Sequence, residues 1–392
     1  MLFLFGAGAS KPAQIPDINE MTKMFLSEPL RLADPDVKKK AYNDLKIDIE
    51  VLKCVTESYY GKVDLEFLMS LILQLGEKNF SDVIASKHEG IKKISQSNLD
   101  FLRVLINEYI RKECERIDLH SMEFLWPLAG LVDDDRPLSI FTLNYDGLVE
   151  AFCESNDLSY SDGFGPYWDP ENFNGKKVNV YKLHGSLYWF KTASGKMLRV
   201  PIKGMNLDKM KHLTDEPLSE IMIYPALRKN KQSQVYLWLH NKFLEELKKT
   251  DTCVIVGYSF RDEDIRNAIV DSLKVNKKLW LIVISPNSLQ RREEFFKNED
   301  EEIISRIFCI NKSVEEVVSD RKIKRYIDTL GYARSNEKSM WDSLALDHTI
   351  DKSKVNAVVS GYRNVGPDSI PHEIRIQWIR NKFNRRKINV DF

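Results

Sequence analysis

The chain has 392 residues, enough for one large hydrophobic core and a second region. Its 58 Lys and Arg residues are matched by 58 Asp and Glu residues, so no overall charge draws it to nucleic acid or to an anionic membrane. The apolar start, residues 1–5, has no basic segment before it and is too short for a signal peptide. No apolar stretch reaches the length of a transmembrane helix, so we expect a cytoplasmic protein without membrane contacts.

The five cysteines are scattered along the sequence and are never spaced as C-x-x-C. This pattern argues against a disulfide framework and against a zinc ribbon, and it predicts no metal site. Cys253 and Cys309 lie inside apolar runs, where we expect reduced, buried thiols that pack as small hydrophobic side chains.

Short apolar runs of the kind that form buried parallel strands recur along the chain, and helical patterns follow several of them. This alternation predicts an α/β fold with a Rossmann-like, doubly wound and mostly parallel sheet. The predicted parallel strands are residues 2–5, 138–142, 178–183, 221–224, 252–256, 279–284 and 306–310, and the predicted helices after them include 235–249, 264–273 and 288–296.

The long stretch between the first two predicted strands, residues 19–131, has an almost entirely helical pattern. Within it, residues 98–117 place five apolar side chains on one helical face. This stretch is too long for a single crossover helix, so we interpret it as a helical subdomain that is inserted into the α/β unit and covers its crevice. The apolar face consists of Leu99, Leu102, Leu105, Ile106 and Tyr109.

The last part of the chain, residues 334–392, loses the strand rhythm, and we predict a domain over residues 1–333 followed by a C-terminal extension. Residues 371–392 hold six Lys or Arg against two acidic residues, interleaved with apolar positions. Such a basic amphipathic segment is either a final helix packed on its own domain, or a contact for a protein partner, a neighbouring subunit or nucleic acid.

A glycine turn, Gly6-Ala7-Gly8-Ala9-Ser10, directly follows the first predicted strand. Glycine allows the backbone to approach a phosphate closely, and a following helix can offer its N–H groups to the anion. Pro12 and Pro16 delay that helix, so the turn departs from the usual dinucleotide fingerprint. The alternative is a tight turn that binds no ligand.

The ends of the other predicted strands also carry small or hydrogen-bonding residues. Asn144 and Asp146 follow the second strand, where they suit a ribose or a carboxamide; alternatively, they cap the helix that starts near Gly147. His184 ends the third strand, at the edge of a parallel sheet where ligands bind, although a lone histidine is more often a satisfied core residue. Two further strand ends carry Gly257-Tyr258-Ser259 and Ser285-Pro286-Asn287, and together these ends predict a dinucleotide lying across the crevice.

The segments G-A-G-A-S, I-P-D, T-L-N-Y-D, K-L-H-G-S, G-Y-S and S-P-N, in this order, resemble the sirtuin-like NAD-binding domain over residues 1–311. His184 matches the catalytic histidine of that family, Asn144 and Asp146 match its Asn-x-Asp segment, and Asp17 ends its Ile-Pro-Asp segment. The sequence is similar in particular to the bacterial branch that serves as antiphage effectors, some of which act with a HerA-type hexameric ATPase. It lacks the two C-x-x-C pairs of the deacetylating sirtuins.

The resemblance implies an NAD+ hydrolase that cleaves the nicotinamide–ribose bond, with NAD+ as substrate and neither zinc nor a further cofactor. It implies a homo-oligomer, with a HerA-type ATPase as a possible partner and nucleic acid contacts only indirectly or through the basic tail. The alternatives are a non-enzymatic sensor of NAD or ADP-ribose and a protein deacylase. The implied catalytic residues are His184, Asn144 and Asp146, and the implied NAD-binding residues are Gly6, Ala7, Gly8, Ser10, Asp17, Gly257, Ser259 and Asn287.

Overall fold

A computed structural model describes residues 1–29, 35–76, 84, 86–115, 120–133, 136–199, 218–222, 234–318 and 327 of the chain. The predicted C-terminal extension, residues 334–392, lies outside these described residues. The predicted boundary after residue 333 and the interpretations of the basic tail therefore stay predictions.

A seven-stranded sheet forms the centre of the described fold, and every neighbouring pair of strands in it is parallel. The chain moves outward from β1 in both directions, which is the arrangement of a doubly wound sheet and confirms the predicted fold class. In order across the sheet, the strands are β10 (Ile307–Ile310), β9 (Trp280–Ile284), β8 (Thr252–Val256), β1 (Leu2–Phe5), β2 (Leu138–Thr142), β4 (Val178–Lys182) and β3 (Tyr160–Ser161).

The central strands are apolar and buried along their whole length because the flanking helices shield the sheet from water. The helices that follow β2 are α5 (Leu148–Ser155), α6 (Gln234–Lys249), α7 (Glu263–Val275), α8 (Ser288–Phe296), α9 (Glu301–Ile304) and α10 (Val314–Val318). The buried face of α6 contacts this sheet: Phe243 is fully buried and packs on Phe141 of β2, with ring centroids 4.9 Å apart.

Helices occupy the long connection between β1 and β2, as the sequence pattern predicts. They are α1 (Ile18–Ser27), α2 (Pro35–Tyr60), α3 (Leu65–Leu75) and α4 (Gln96–Cys114), with 3-10 turns at Glu89–Lys93 and His120–Leu131. Helix α3 packs against α1, α2 and α4 and is apolar almost all round, which makes it the central helix of this insertion. Its first turn begins at Asp64, whose carboxylate caps the helix by accepting the Phe67 N–H at 3.0 Å.

The prediction of a parallel strand at residues 221–224 is wrong, and residues 223 and 224 lie outside the described part of the chain. The observed strand, β7 (Leu218–Met222), belongs to a separate three-stranded sheet. There it pairs antiparallel with β5 (Gly185–Thr192), which also pairs with β6 (Met197–Arg199). Apolar periodicity does not reveal strand direction, so only the tertiary structure separates the two sheets.

The reversal between the two sheets takes place at His184, and Gly185 makes it possible. Gly185 has a φ of +77°, and a Cβ on it would lie 2.4 Å from the Ile221 carbonyl oxygen. No other residue type fits this backbone at this distance, so the glycine sets where β4 stops and β5 starts. The histidine is thereby held at the carboxyl edge of the parallel sheet.

The described cysteines are all free, and Cys253 and Cys309 are buried in β8 and β10, as predicted. Among the helices of the described ranges, none is long and apolar enough to cross a membrane.

Candidate active site

A cleft of about 560 Å³ opens at the carboxyl edge of the parallel sheet. The loops after β1, β2, β4, β8 and β9 line one part of it, and the helical insertion, with the start of α1 and the junction of α2 and α3, lines another. This volume lies in the range of ordinary small-molecule sites, which is roughly 300–1,000 Å³. Of the predicted site residues, the cleft is lined by Gly6, Ala7, Gly8, Asp17, Asn144, His184, Gly257, Ser259 and Asn287, whereas Ser10 and Asp146 lie beneath its wall.

The two glycine turns of the cleft pack directly against each other. The N–H of Gly6 donates to the Val256 carbonyl and the N–H of Gly8 donates to the Gly257 carbonyl, both at 2.9 Å. Gly257 has a φ of +63°, and a Cβ on it would lie 2.3 Å from the Ala9 nitrogen. The glycines are therefore required for this close approach of the two turns, and the amides of Gly6 and Gly8 are already bonded to main-chain carbonyls.

A network of three polar side chains supports the glycine turn from below. The Asn144 Nδ2 donates to the Gly6 carbonyl at 3.0 Å and to the Ser10 Oγ at 2.8 Å. The Ser10 Oγ in turn donates to Asp146 Oδ2 at 2.8 Å, and Asp146 Oδ1 accepts the Leu148 N–H at 3.0 Å. Asp146 thus starts helix α5 and fixes Ser10, while the amide oxygen of Asn144 is the part of that side chain able to accept a bond from a ligand.

A buried ion pair lies behind this network. The Lys182 Nζ of β4 is 3.0 Å from Glu150 Oε1 of α5, and both side chains are almost completely buried. The same Nζ donates to the main-chain carbonyl of Asp146. Burial raises the pKa of Glu150, and the Lys182 charge opposes that rise. Breaking a buried pair leaves one charge uncompensated, so this pair ties β4 firmly to the Asp146 segment.

His184 lines the cleft and is hydrogen-bonded to a residue from a distant part of the chain. Its Nε2 is 2.8 Å from Asp262 Oδ2, and the other oxygen, Asp262 Oδ1, caps helix α7 by accepting the Ile265 N–H at 3.1 Å. The Tyr258 hydroxyl donates to the Asp262 carbonyl at 2.9 Å. A carboxylate only accepts, so Nε2 carries the proton and Nδ1 is the ring nitrogen left to act as a base.

The charge state of His184 follows from this pairing. Burial alone disfavours the imidazolium, but the hydrogen bond and charge of Asp262, together with Glu66 and Asp264, outweigh it and raise the pKa of His184. Burial likewise opposes the ionised form of Asp262, yet its bond to His184 lowers the pKa of Asp262. The free base form of His184 therefore accumulates only above the ordinary pKa of a histidine.

Two further predicted binding residues, Asp17 and Asn287, lie on the cleft wall, and they differ in how far their side chains are already hydrogen-bonded. Asp17 caps helix α1 by accepting the N–H groups of Asn19 and Glu20, and it pairs with Lys11 Nζ at 2.8 Å. Its carboxylate is therefore engaged within the loop that follows the glycine turn. Asn287 stands at the start of α8, makes no capping bond with its side chain, and faces the other end of the cleft.

Part of the chain is similar to a known family. Residues 138–304 match the family described as SIR2-like domain. The matched part of the chain is SIR2-like. The match confirms the resemblance to the sirtuin-like NAD-binding domain, and its residues include Asn144, His184 and Asp262.

Solved structures to which the chain is similar include Sir2 proteins. One is a Sir2 homologue in complex with NAD, with 14% identity, a TM-score of 0.39, and coverage of 82% of this chain and 88% of that chain. Another is Sir2 in complex with the inhibitor EX-527, 2'-O-acetyl-ADP-ribose and a deacetylated p53 peptide, with 12% identity, a TM-score of 0.34, and coverage of 84% of this chain and 93% of that chain. No curated protein matches the chain.

Part of the cleft wall comes from the helical insertion, outside the matched residues, and sequence reasoning missed it. Glu66 of α3 lines the cleft and accepts the Tyr145 hydroxyl on Oε1 at 3.1 Å. Burial, reinforced by Asp64, raises the pKa of Glu66 to about 7, while His184 opposes the rise. No motif marks Glu66, because its chemistry arises only when the insertion folds against the sheet.

Arg261 is the second cleft residue that sequence reasoning missed. Its Nε donates to Ser259 Oγ at 3.2 Å and its Nη1 donates to Asn19 Oδ1 at 3.3 Å. The same Nη1 lies 3.6 Å from Asp64 Oδ2. Arg261 therefore links the turn after β8 to the starts of α1 and α3. Its position directly after the G-Y-S-F segment is the signal that could have identified it.

Among the residues that the structure describes, no group of His, Cys, Asp or Glu side chains could hold a metal ion.

We predict that Gly257→Ala destabilises the protein more than Gly175→Ala. Gly175 has a similar φ of +70° but open space around its Cα, so its substitution costs only the left-handed backbone energy, about 1–2 kcal/mol. At position 257 the added methyl group would also meet the main chain of Ala9, which adds about 1–3 kcal/mol. Urea unfolding measures both free energies, and equal losses would contradict the close packing of the two turns.

We also predict that Asp262→Asn lowers the pKa of His184, because the carboxylate that stabilises the imidazolium is lost. Asparagine still caps helix α7, so the fold is retained. Histidine NMR titration measures the change, with the His184 signal assigned from its loss in His184→Gln. The control is Asp300→Asn, which should leave this pKa unchanged. Asp300 lies at the start of α9, before β10, and therefore at the amino edge of the parallel sheet, whereas the cleft is at its carboxyl edge.

Proposed function

We propose that this protein is an NAD+ glycohydrolase that cleaves the nicotinamide–ribose bond and releases nicotinamide and ADP-ribose. The observation that carries the proposal is His184, held by Asp262 in the cleft of a SIR2-like domain, with Asn144 and the glycine turn on the same wall. A protein that only bound the dinucleotide would not need an oriented imidazole with a raised pKa.

In this proposal the dinucleotide lies across the edge of the sheet. The Gly6–Gly8 turn and the side chains of Ser259 and Asn287 line the part of the cleft that takes the diphosphate and adenosine. Arg261 donates to Ser259 and adds a positive charge to the cleft. The nicotinamide riboside end lies toward Asn144 and His184. Asp146 contributes indirectly, because it fixes Ser10, which in turn fixes Asn144.

The proposed reaction moves positive charge from the nicotinamide ring to the sugar. The electron pair of the C1′–N bond leaves with the ring, so cationic nicotinamide becomes neutral nicotinamide and the sugar becomes an oxocarbenium ion. Water then attacks C1′ and loses its proton to His184 Nδ1, and the net change is NAD+ and water to ADP-ribose, nicotinamide and a proton. Asn144 orients the ribose or the water, and such positioning is what the rigid polar network contributes.

We predict that His184→Ala and Asn144→Ala each reduce NAD+ turnover by about 10²- to 10⁴-fold, the usual contribution of a general base, while the fold is retained. Chromatography of NAD+, nicotinamide and ADP-ribose after incubation measures the loss, and circular dichroism checks the fold. His88→Ala removes an imidazole outside the cleft lining and serves as the control. Full turnover in both cleft variants would remove these roles; tight NAD+ binding without nicotinamide release by the wild type would favour a sensor instead.

We further propose that the enzyme acts in the cytoplasm as an antiphage effector that depletes NAD+, as a homo-oligomer and together with a HerA-type hexameric ATPase. The support is the motif resemblance to that bacterial branch. Phage infection of cells that express the chain with such an ATPase should lower cellular NAD+, and His184→Ala should abolish the fall. An unchanged NAD+ level after infection, or a fall equal in the variant, would contradict this role.

A further inference from the structure

Glu66 stands on the cleft wall that the helical insertion contributes, near His184. We propose that Glu66 selects the cationic, oxidised form of the dinucleotide by placing a carboxylate against the pyridinium ring. This inference rests on the proposed NAD+ glycohydrolase function and adds a residue that determines substrate specificity. Glu66 lies outside residues 138–304, which match the SIR2-like domain.

The position of Glu66 follows from its hydrogen bond. Tyr145, one residue after Asn144, donates its hydroxyl to Glu66 Oε1 at 3.1 Å. The Tyr145 ring centroid lies 6.5 Å from that of His184. Glu66 is therefore at the end of the cleft where the bond to nicotinamide would break, rather than at the end of the diphosphate.

The other carboxylates in this part of the cleft are already committed to cations or to helix starts. Asp262 pairs with His184 and caps α7, and Asp64 caps α3 and lies 3.6 Å from Arg261. The hydrogen-bond partner of Glu66, in contrast, is a neutral hydroxyl. Glu66 is thus the carboxylate at this end that is able to compensate a cation arriving with the ligand.

The proton on Glu66 is what a cationic ligand would displace. The charged and titratable groups around it are Asp64 and Lys62 from the insertion, Tyr145 after β2, His184 after β4 and Arg261 after β8. Burial and Asp64 raise its pKa to about 7 against the opposing effects of His184, Arg261 and the Tyr145 bond, so near neutrality the carboxyl is partly protonated. A pyridinium ring beside it favours the carboxylate, so binding of the cation releases a proton.

The same charge also fits the reaction. When the glycosidic bond breaks, the positive charge moves from the ring to C1′, where a nearby carboxylate continues to stabilise it. Nicotinamide is then neutral and loses its attraction to Glu66, which favours its release. NADH and ADP-ribose lack the pyridinium charge, so Glu66 offers them no equivalent interaction.

The experiment compares two ligands that differ in this charge. Carba-NAD+, in which a methylene group replaces the oxygen of the nicotinamide-bound ribose ring, keeps the cation but is not cleaved, and ADP-ribose lacks the cation. We expect wild-type affinity for carba-NAD+, relative to ADP-ribose, to rise about fivefold between about pH 6 and pH 8, which corresponds to a fall of about one unit, from about 7, in the pKa of Glu66 on binding. Glu66→Gln should abolish this rise. Glu66→Asp keeps a carboxylate on a shorter side chain and should retain part of the rise.

A control variant and a test of folding accompany this experiment. Glu315→Gln removes a carboxylate at the other end of the cleft, beside β10, and should leave the pH-dependent preference intact. Glu66→Gln should also fold. The pKa of Glu66 in the folded state, about 7, exceeds the ordinary 4.5, so the free energy of unfolding of the wild type falls as pH rises from 4.5 to about 7. Glutamine does not ionise, so the variant avoids that loss of stability. Thermal unfolding at pH values across this range verifies it.

The outcomes separate the two proposals. Equal weakening of both ligands by Glu66→Gln, a pH-independent preference in the wild type, or the same loss in Glu315→Gln would overturn the role of Glu66. Because protonated His184 would also repel a cationic ligand, the comparison of the wild type with Glu66→Gln assigns a pH-dependent preference to Glu66. If the wild type binds neither ligand, or releases no nicotinamide from NAD+, the proposed glycohydrolase function fails instead.

Discussion

The hydrogen bond between His184 and Asp262 is the interaction on which the arrangement of the cleft depends. The two residues are 78 positions apart in the chain, and the bond joins the end of β4 to the start of α7. One carboxylate serves both the imidazole and the helix start, so the orientation of the histidine is coupled to the position of a whole helix. A second partner of this kind fixes the tautomer of a histidine, and here it leaves Nδ1 as the ring nitrogen able to accept a proton.

The rest of the site is arranged around that bond by two kinds of long-range contact. The glycine turns after β1 and β8 fit together without side chains between them, which brings the first residues of the chain next to residues 257–259. Beneath them, the buried Lys182–Glu150 pair and the network of Asn144, Ser10 and Asp146 replace water with fixed polar partners. Preorganised groups of this kind need little rearrangement when a substrate binds.

The sequence predicted strands of the parallel sheet well, but it did not reveal the direction of the strand near residue 221 or the contacts of individual polar side chains. The runs at residues 2–5, 138–142 and 252–256 coincide with β1, β2 and β8, because a strand buried on both faces must be apolar throughout. Residues 221–224 have the same apolar pattern, yet the observed strand lies in the antiparallel sheet. For Asp146, the sequence left helix capping and ligand contact open. In the structure its carboxylate accepts the N–H of Leu148, the first residue of α5, and holds Ser10 beneath the cleft wall.

By itself, the sequence determined the fold class, the glycine turns, and the candidates His184 and Asn144, because these depend on local patterns: apolar periodicity, the permissive backbone of glycine, and polar residues at strand ends. Only the tertiary structure decided that Asp262 holds the histidine and that Glu66 and Arg261 belong to the cleft. Their roles come from neighbours far away in the chain. A carboxyl group acquires a pKa of about 7 from burial and nearby charge, and neither is set by its own place in the sequence.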